Sequence, residues 1–257
     1  MTVHLIRKGH LGDVIMTEPV ARALKANDQN VVLVTEYGHV APYLPTYDRV
    51  EPYSSYAMRI RANDLDPERF IVLAYEIHPE LHYLDGFAKC AKVTLADRTP
   101  RLRGGFAAPI AGKYCVIAPH TSSWSRGMRE WSYLAFHEVA RRLHYEYRIE
   151  VFFLKPEHSF EEMLALIEHC SLFIGNDSGP GIIAQAYSRP SLIIFGATDY
   201  SKVLFSPHAC PLWVAVGCNG CRQRNRNSRV ECNTPICLDS VSSELVIQNA
   251  VRLAGLV

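Results

Sequence analysis

The chain has 257 residues, 48% of them hydrophobic, enough for one large buried core or two smaller ones. A formal charge of +1 excludes a protein that coats nucleic acid by electrostatics alone. No apolar run reaches the length of a membrane span, and MTVHLIRKG lacks the apolar core of a signal peptide, so the expected compartment is the cytoplasm.

Residues 3–6 read as a short buried strand, followed by the turn from Arg7 to Asp13 and a helical pattern over 14–25. Pro19 is expected to kink that helix or mark an irregular first turn. Gly9 and Gly12 allow close backbone approach at the turn, and Asp13 sits at the helix start. From the residues alone, Asp13 is an N-cap before it is anything else. A second strand over 31–35 leads into Glu36-Tyr37-Gly38-His39 at the same sheet edge, then a short helix containing Val40 and Leu44. Short strands are expected over 49–53 and 70–74; the latter runs into Tyr75-Glu76-Ile77-His78-Pro79. A helix over 84–92 closes the unit. The loop 97–109, with its Pro, Gly and Arg residues, is linker chemistry and sets a domain boundary near Ile110.

The second half repeats the same strand-loop-helix order. A strand over 114–118 ends in Pro119-His120-Thr121-Ser122-Ser123, and Arg129-Glu130-Trp131 precedes a helix that runs through Leu143. Ser122 and Ser123 offer hydroxyls and Arg129 a cation at the mouth of the sheet, although a lone arginine is more often solvated surface. A strand over 150–154 ends in Lys155-Pro156-Glu157-His158, and a helix follows over 160–169. The stretch 172–199 is the clearest in the chain: strand, turn at Gly175-Asn176-Asp177, helix, parallel strand. Ser178 and Gly179 lie where that helix begins, so their N–H groups and the helix dipole suit a diphosphate. The next strand runs into Gly196-Ala197-Thr198-Asp199 at the same carboxyl edge, where open α/β sheets bind ligands. An amphipathic helix over 241–256 ends the chain.

Taken together, Gly9-His10-Leu11-Gly12-Asp13-Val14 with Thr17, Pro19 and Ala23-Leu24-Lys25 resembles the N-terminal motif of the ADP-heptose:lipopolysaccharide heptosyltransferases, glycosyltransferase family nine. Pro119-His120-Thr121-Ser122, Arg129-Glu130-Trp131, Asn176-Asp177-Ser178-Gly179-Pro180 and Phe195-Gly196-Ala197-Thr198-Asp199 match the family's donor-domain motifs in order. The late cysteines around Ile236-Cys237-Leu238 are similar to a pattern in many members. The resemblance implies an α/β protein of the GT-B fold, two Rossmann-like parallel-sheet domains facing across a cleft. Residues 1–110 would bind acceptor, and 111–240 nucleotide-sugar, with a Cys-rich loop at 210–237. The helix in 241–257 would return toward the first domain. The implied activity is inverting transfer of a sugar, ADP-heptose being the first choice of donor, to a hydroxyl-bearing acceptor, without a catalytic metal. Asp13 matches the catalytic base, which reverses the capping reading. Donor-side residues would be Ser122, Ser123, Arg129 (often Lys in the family), Glu157, Asp177, Ser178, Gly179 and Thr198. His10, Gly12, Tyr37 and His78 would face the acceptor. The chain departs from the family at Ile182, where a His is usual, with Gly181 beside it expected to leave extra room. Its first domain is also short, which points to another acceptor than the usual lipid-linked core oligosaccharide.

Eight cysteines are few for a disulfide scaffold of this size, and four are clustered as Cys218-x2-Cys221-x10-Cys232-x4-Cys237. That spacing suits a structural zinc or iron, with free thiols or disulfides as the alternative and Cys210 as a substitute ligand. Cys90, Cys115 and Cys170 read as small buried hydrophobes. Arg222, Arg224, Arg226 and Arg229 between the ligands are a solvated run unless they meet an anion. Beside the enzyme stand two other readings: a nucleotide-sugar-binding or regulatory protein altered at Ile182, and a metal-stapled Cys/Arg loop that binds nucleic acid or protein. An intact Asp13 favours the enzyme.

Overall fold

The structure, a computed structural model, describes residues 1–62, 66, 68–121, 126–224, 232 and 234–255. It divides into two compact units, Met1–Arg103 and Gly104–Val257. The division falls inside the linker, slightly before Ile110, for a visible reason. The Arg101 N–H donates to Glu18 Oε2 at 2.9 Å, whereas the Gly105 and Phe106 N–H groups donate to the Glu168 carboxylate at 2.7 and 3.0 Å. One carboxylate holds the linker's start to the first unit, and another holds its continuation to the second.

In the first unit, strands β1 (Thr2–Ile6), β2 (Asn30–Thr35), β3 (Arg49–Pro52) and β4 (Phe70–Val72) form a parallel sheet in the order β3-β2-β1-β4. Strands covered on both faces favour apolar residues at every position, which is why 31–34 reads as an unbroken run, whereas His4 interrupts 3–6. Ile6, Val32 and Val34 pack under Tyr53, Tyr56 and Phe70. Tyr53 and Tyr56 belong to a helix, Tyr53–Arg61, that the sequence pattern does not announce, since it leaves Met58 and Ile60 exposed. The pattern over 14–25 is split into helices Leu11–Ile15 and Glu18–Lys25. Pro19 sits in the first turn of the second, where a missing N–H breaks no hydrogen bond.

In the second unit, β5 (Tyr114–Ala118), β6 (Glu150–Phe153), β7 (Leu172–Asn176), β8 (Ser191–Ile194) and β9 (Ala209–Leu212) form a parallel sheet in the order β6-β5-β7-β8-β9. Strand β9 escapes sequence reading because Pro211 interrupts it; as an edge strand it tolerates a residue without an N–H. In the last helix, Ser243–Leu253, Val246, Ile247, Ala250 and Val251 are buried in this unit's own core with Phe136, Val139 and Leu143.

In each sheet the strand order reverses beside the first strand, between β1 and β4 and again between β5 and β7. The crevice outside the carboxyl ends at such a reversal is where α/β sheets take ligands. One glycine guards the first crevice. A Cβ on Gly86, in the helix Tyr83–Ala91, would lie 2.8 Å from Tyr75 Cβ and 3.0 Å from Tyr75 Cα. Gly86→Ala is therefore expected to destabilise the protein by about 1–3 kcal/mol, read by urea unfolding.

Candidate active site

Asp13 lies in the helix Leu11–Ile15 and is 8% exposed. It does not cap. The N-cap position is His10, with φ 20 and ψ 132, and its side chain makes no capping hydrogen bond. The unusual backbone conformation thus falls on His10 rather than on Gly9 or Gly12. Arg7 is what claims the Asp13 carboxylate, its Nη2 donating to Oδ2 at 2.5 Å. The same guanidinium donates to both oxygens of Glu76, at 2.9 and 2.7 Å, and to the Leu73 carbonyl at 3.0 Å. It also lies over the rings of Tyr75 and Phe87, 4.8 and 5.3 Å from their centroids. Burial alone would favour loss of the Arg7 proton, but Asp13 and Glu76 outweigh it and hold the group as a cation. Neither Arg7 nor Glu76 is a sequence-derived site residue. Their signal is positional: each follows the end of a strand that flanks the reversal between β1 and β4.

The acceptor-side candidates gather at this end of the sheet. His10 and Gly12 flank Asp13, and the Tyr37 hydroxyl bonds the Leu11 backbone. Burial, then the Asp13 charge, push the Tyr37 phenol up. His78 is half-buried at the close of the 3₁₀ turn Tyr75–Ile77 that carries Glu76.

The second unit has a neutral counterpart. Asn176, fully buried at the end of β7, donates from Nδ2 to the Pro119 carbonyl at 2.6 Å and accepts the Trp131 N–H at 2.9 Å. Trp131 in turn donates from its indole to the Val241 carbonyl at 2.8 Å. One side-chain amide thereby joins the ends of β5 and β7 to the start of the helix Tyr133–Tyr147. Beyond it, Arg129 Nη2 lies 2.8 Å from Asp177 Oδ2 and also donates to the Asp177 carbonyl. Ser178 opens the helix Gly179–Ala186, its hydroxyl donating to the Asn176 carbonyl at 3.1 Å, and Pro180 has no N–H. Arg129, Asp177, Ser178 and Gly179 are thus brought together. Arg129 is corrected from an open cation to one partner of a buried ion pair, because an unpaired guanidinium at that depth is costly. Its Nε–H is buried without a hydrogen-bond partner among the described residues.

The other donor-side candidates are spread. Thr198 is buried beyond β8 with an unpartnered hydroxyl. Glu157 stays exposed, its side chain 70% accessible and 4.0 Å from Lys155 Nζ. Ser122 and Ser123 lie outside the described residues. Ile182 is buried. The extra room expected at Gly181 is absent: a Cβ there would meet Ile193 Cδ1 at 3.3 Å, so helix–strand packing needs the glycine. All eight cysteines are reduced. Burial, and then Cys218 and Cys232, push the Cys221 thiol up; Cys237 is raised by burial and then by the other three. Among the described residues no group of three or more His, Cys, Asp or Glu is placed to hold a metal ion. Residues 225–231 and 233, between the ligand candidates, lie outside the described set. The deep burial expected of Cys115 and Cys170 is present and raises both thiols; Cys90 is half-buried.

Comparison with known proteins bears on the second unit most directly. The family described as glycosyltransferase family 9 (heptosyltransferase) matches residues 130–231. A lipopolysaccharide heptosyltransferase 1 of Campylobacter coli is 49% identical over 102 residues, 40% of this chain but only 28% of that protein. The chain thus matches less than a third of that family 9 relative's length. Among solved structures, the iron-containing dodecameric glycosyltransferase TibC of enterotoxigenic Escherichia coli superposes with a TM-score of 0.76 at 16% identity, covering 99% of this chain and 76% of TibC. TibC has also been solved with ADP-D-β-D-heptose. The ADP-heptose heptosyltransferase II of Escherichia coli superposes with a TM-score of 0.70 at 13% identity, covering 100% of this chain and 99% of that one. At these identities the likeness establishes the fold, which is GT-B.

Replacing Arg7 by Met leaves the buried Asp13 carboxylate without its cation. The expected loss is about 3–5 kcal/mol in chemical unfolding. Adding Asp13→Asn to that variant should restore part of the loss in a double-mutant cycle, since the orphaned charge is then gone.

Proposed function

We infer that this family 9 chain is an inverting glycosyltransferase that moves a heptose from ADP-heptose to a hydroxyl-bearing acceptor. The observation that carries this reading is the state of Asp13: a buried carboxylate at the strand reversal, tied by Arg7 through one oxygen, with no capping duty. Arg7 engages Oδ2, which leaves Oδ1 to accept a proton. As the acceptor oxygen attacks the anomeric carbon, its proton passes to Asp13 and the bond from that carbon to the diphosphate oxygen breaks. ADP leaves with the bonding electrons, and attack from the face opposite the diphosphate inverts the centre. An ordinary carboxylate suffices as base, because the hydroxyl turns acidic only as the new bond forms. The N–H groups of Ser178 and Gly179, with the orphaned Nε–H of Arg129, supply donors for charge on the departing diphosphate. Asp177, paired to Arg129, keeps that cation in place. The acceptor would be met by His10, Gly12, Tyr37 and His78.

Asp13→Asn is expected to lower transfer about 10²–10⁴-fold while ADP still raises the melting temperature as it does in the parent protein. Survival of transfer in this variant would reject the base assignment. Stabilisation by another nucleoside diphosphate, and not by ADP, would change the donor. If no nucleotide stabilises the protein, the reading as a transferase fails.

A further inference from the structure

Glu76 has no part in the transfer reading, yet it is the carboxylate that holds Arg7 by the most contacts. It takes both terminal nitrogens of the guanidinium, Oε2 from Nη1 at 2.9 Å and Oε1 from Nη2 at 2.7 Å, the two-pronged geometry that fixes an arginine firmly. Asp13 has one contact, Oδ2 to the same Nη2 at 2.5 Å. The carboxylate that grips the cation is therefore not the one that serves as base. The side chains of Arg7 and Asp13 are each 10% exposed, and that of Glu76 is 31% exposed. Glu76 enters from the turn Tyr75–Ile77 beyond β4, and Arg7 from the end of β1.

One carboxylate balances the charge of a buried guanidinium, and the Leu73 carbonyl, 3.0 Å from Nη1, already ties Arg7 to the strand that Glu76 follows. A second carboxylate on the same nitrogen brings two like charges together, which is unfavourable by itself. What it changes is the field at Asp13. With Arg7 to itself, Asp13 would be paired to an undivided cation, and an anion so paired loses affinity for protons. Glu76 opposes this in two ways: it places a like charge beside Asp13, and it draws on the same cation. Burial works against the charge on Arg7, while Asp13 and then Glu76 sustain it, so both carboxylates act on the guanidinium. The other groups around Asp13 bring no second negative charge to that cation. Tyr37 beyond β2 and Tyr75 beyond β4 are kept as neutral phenols, pushed up by burial and then by the Asp13 charge. Glu36, beside Tyr37, lies 3.5 Å from Lys8 Nζ, and Tyr83 stacks on Tyr75 with centroids 3.6 Å apart. His10 stands on the Asp13 turn itself.

We propose that Glu76 is a positioning residue of the transfer site: by gripping Arg7 with both oxygens it sets the direction of the guanidinium and takes a share of its charge, which keeps Asp13 able to accept a proton. The proposal rests on the reading of Asp13 as base and goes beyond it, giving a role in the reaction to a residue that no motif marks.

Two carboxylates on one cation titrate as a coupled pair. The full-length protein, labelled with ¹³C at the aspartate side-chain carboxyl, is titrated by NMR, the Asp13 signal being the one lost in Asp13→Asn. In the parent protein that signal is expected to follow two steps. In Glu76→Gln, which keeps the shape and removes the charge, one step remains, about one pH unit lower, because loss of a like charge favours the anion. Glu76→Asp should keep two steps. The same titrations in the His10→Asn background remove the imidazole from the curves. With ADP-heptose as donor and water as acceptor, the acid limb of turnover should move down with the Asp13 step in Glu76→Gln and hold its place in Glu76→Asp. A contact needed for packing alone would lower turnover and leave the limb where it was. The proposal is overturned if the parent signal follows a single step that Glu76→Gln does not move, or if Glu76→Asp behaves like Glu76→Gln. Should Glu76→Gln fail to fold, the number of steps in the parent curve decides. If the Asp13 step moves and the limb does not, the base assignment falls and the role of Glu76 with it. If Asp13→Asn abolishes turnover while Glu76→Gln moves neither step nor limb, the base stands and the proposal alone is rejected.

Discussion

One buried cation shared by two carboxylates is the constraint around which the first unit is arranged. Arg7 follows β1, Glu76 follows β4, and Asp13 sits on the short helix between them in space. A guanidinium at this depth needs partners, and here Asp13, Glu76 and the Leu73 carbonyl take up Nη1 and Nη2, while Nε is buried without one among the described residues. The arrangement ties the carboxyl end of β1 to that of the edge strand β4. Tyr75 and Phe87 close over the guanidinium, and Gly86 is the residue that lets Tyr75 come close enough to do so.

The second unit answers the same topological problem without charge. Between β5 and β7 the crevice is bridged by Asn176, whose amide is donor to Pro119 and acceptor from Trp131 at once. A neutral amide suits a position that is fully buried, and it leaves the charged pair Arg129–Asp177 one step further out, at the turn. The two reversals therefore differ in chemistry although they match in topology. The first presents a carboxylate that can take a proton; the second presents N–H groups and a partly satisfied arginine that can take an anion.

Much of the fold was legible because parallel strands covered on both faces are written as apolar runs: 114–118, 172–176 and the helix 160–169 stand where the pattern puts them. Strand β9 was not, because Pro211 on an edge breaks the pattern without breaking the sheet. The helix Tyr53–Arg61 covers its sheet with tyrosines rather than aliphatics, which hydrophobic periodicity does not register. At the candidate site, Asp13 and the turn at Ser178 were legible as local motifs. Arg7 and Glu76 were not, since their pairing joins residues 69 positions apart, and only the strand order brings them together. Asn176 was read as part of a turn, whereas its work is done across the sheet. Pairings set by topology leave no mark on spacing.

The departure at Ile182 has a packing logic of its own. Its side chain is buried in the helix Gly179–Ala186, and its neighbour Gly181 sits against Ile193 of β8. An imidazole at 182 would have to find hydrogen-bond partners in that setting; an isoleucine needs none. The substitution therefore removes a polar group near the turn without leaving a hole. In the transfer reading, the donors at this turn are the first N–H groups of the helix and the Nε–H of Arg129. Arg129 is itself fixed by Asp177 and by the Asp177 carbonyl, so its remaining donor has a set direction. A turn with fewer polar side chains but better-fixed donors loses less rotamer freedom when an anion arrives, and this offsets part of what the missing imidazole would contribute.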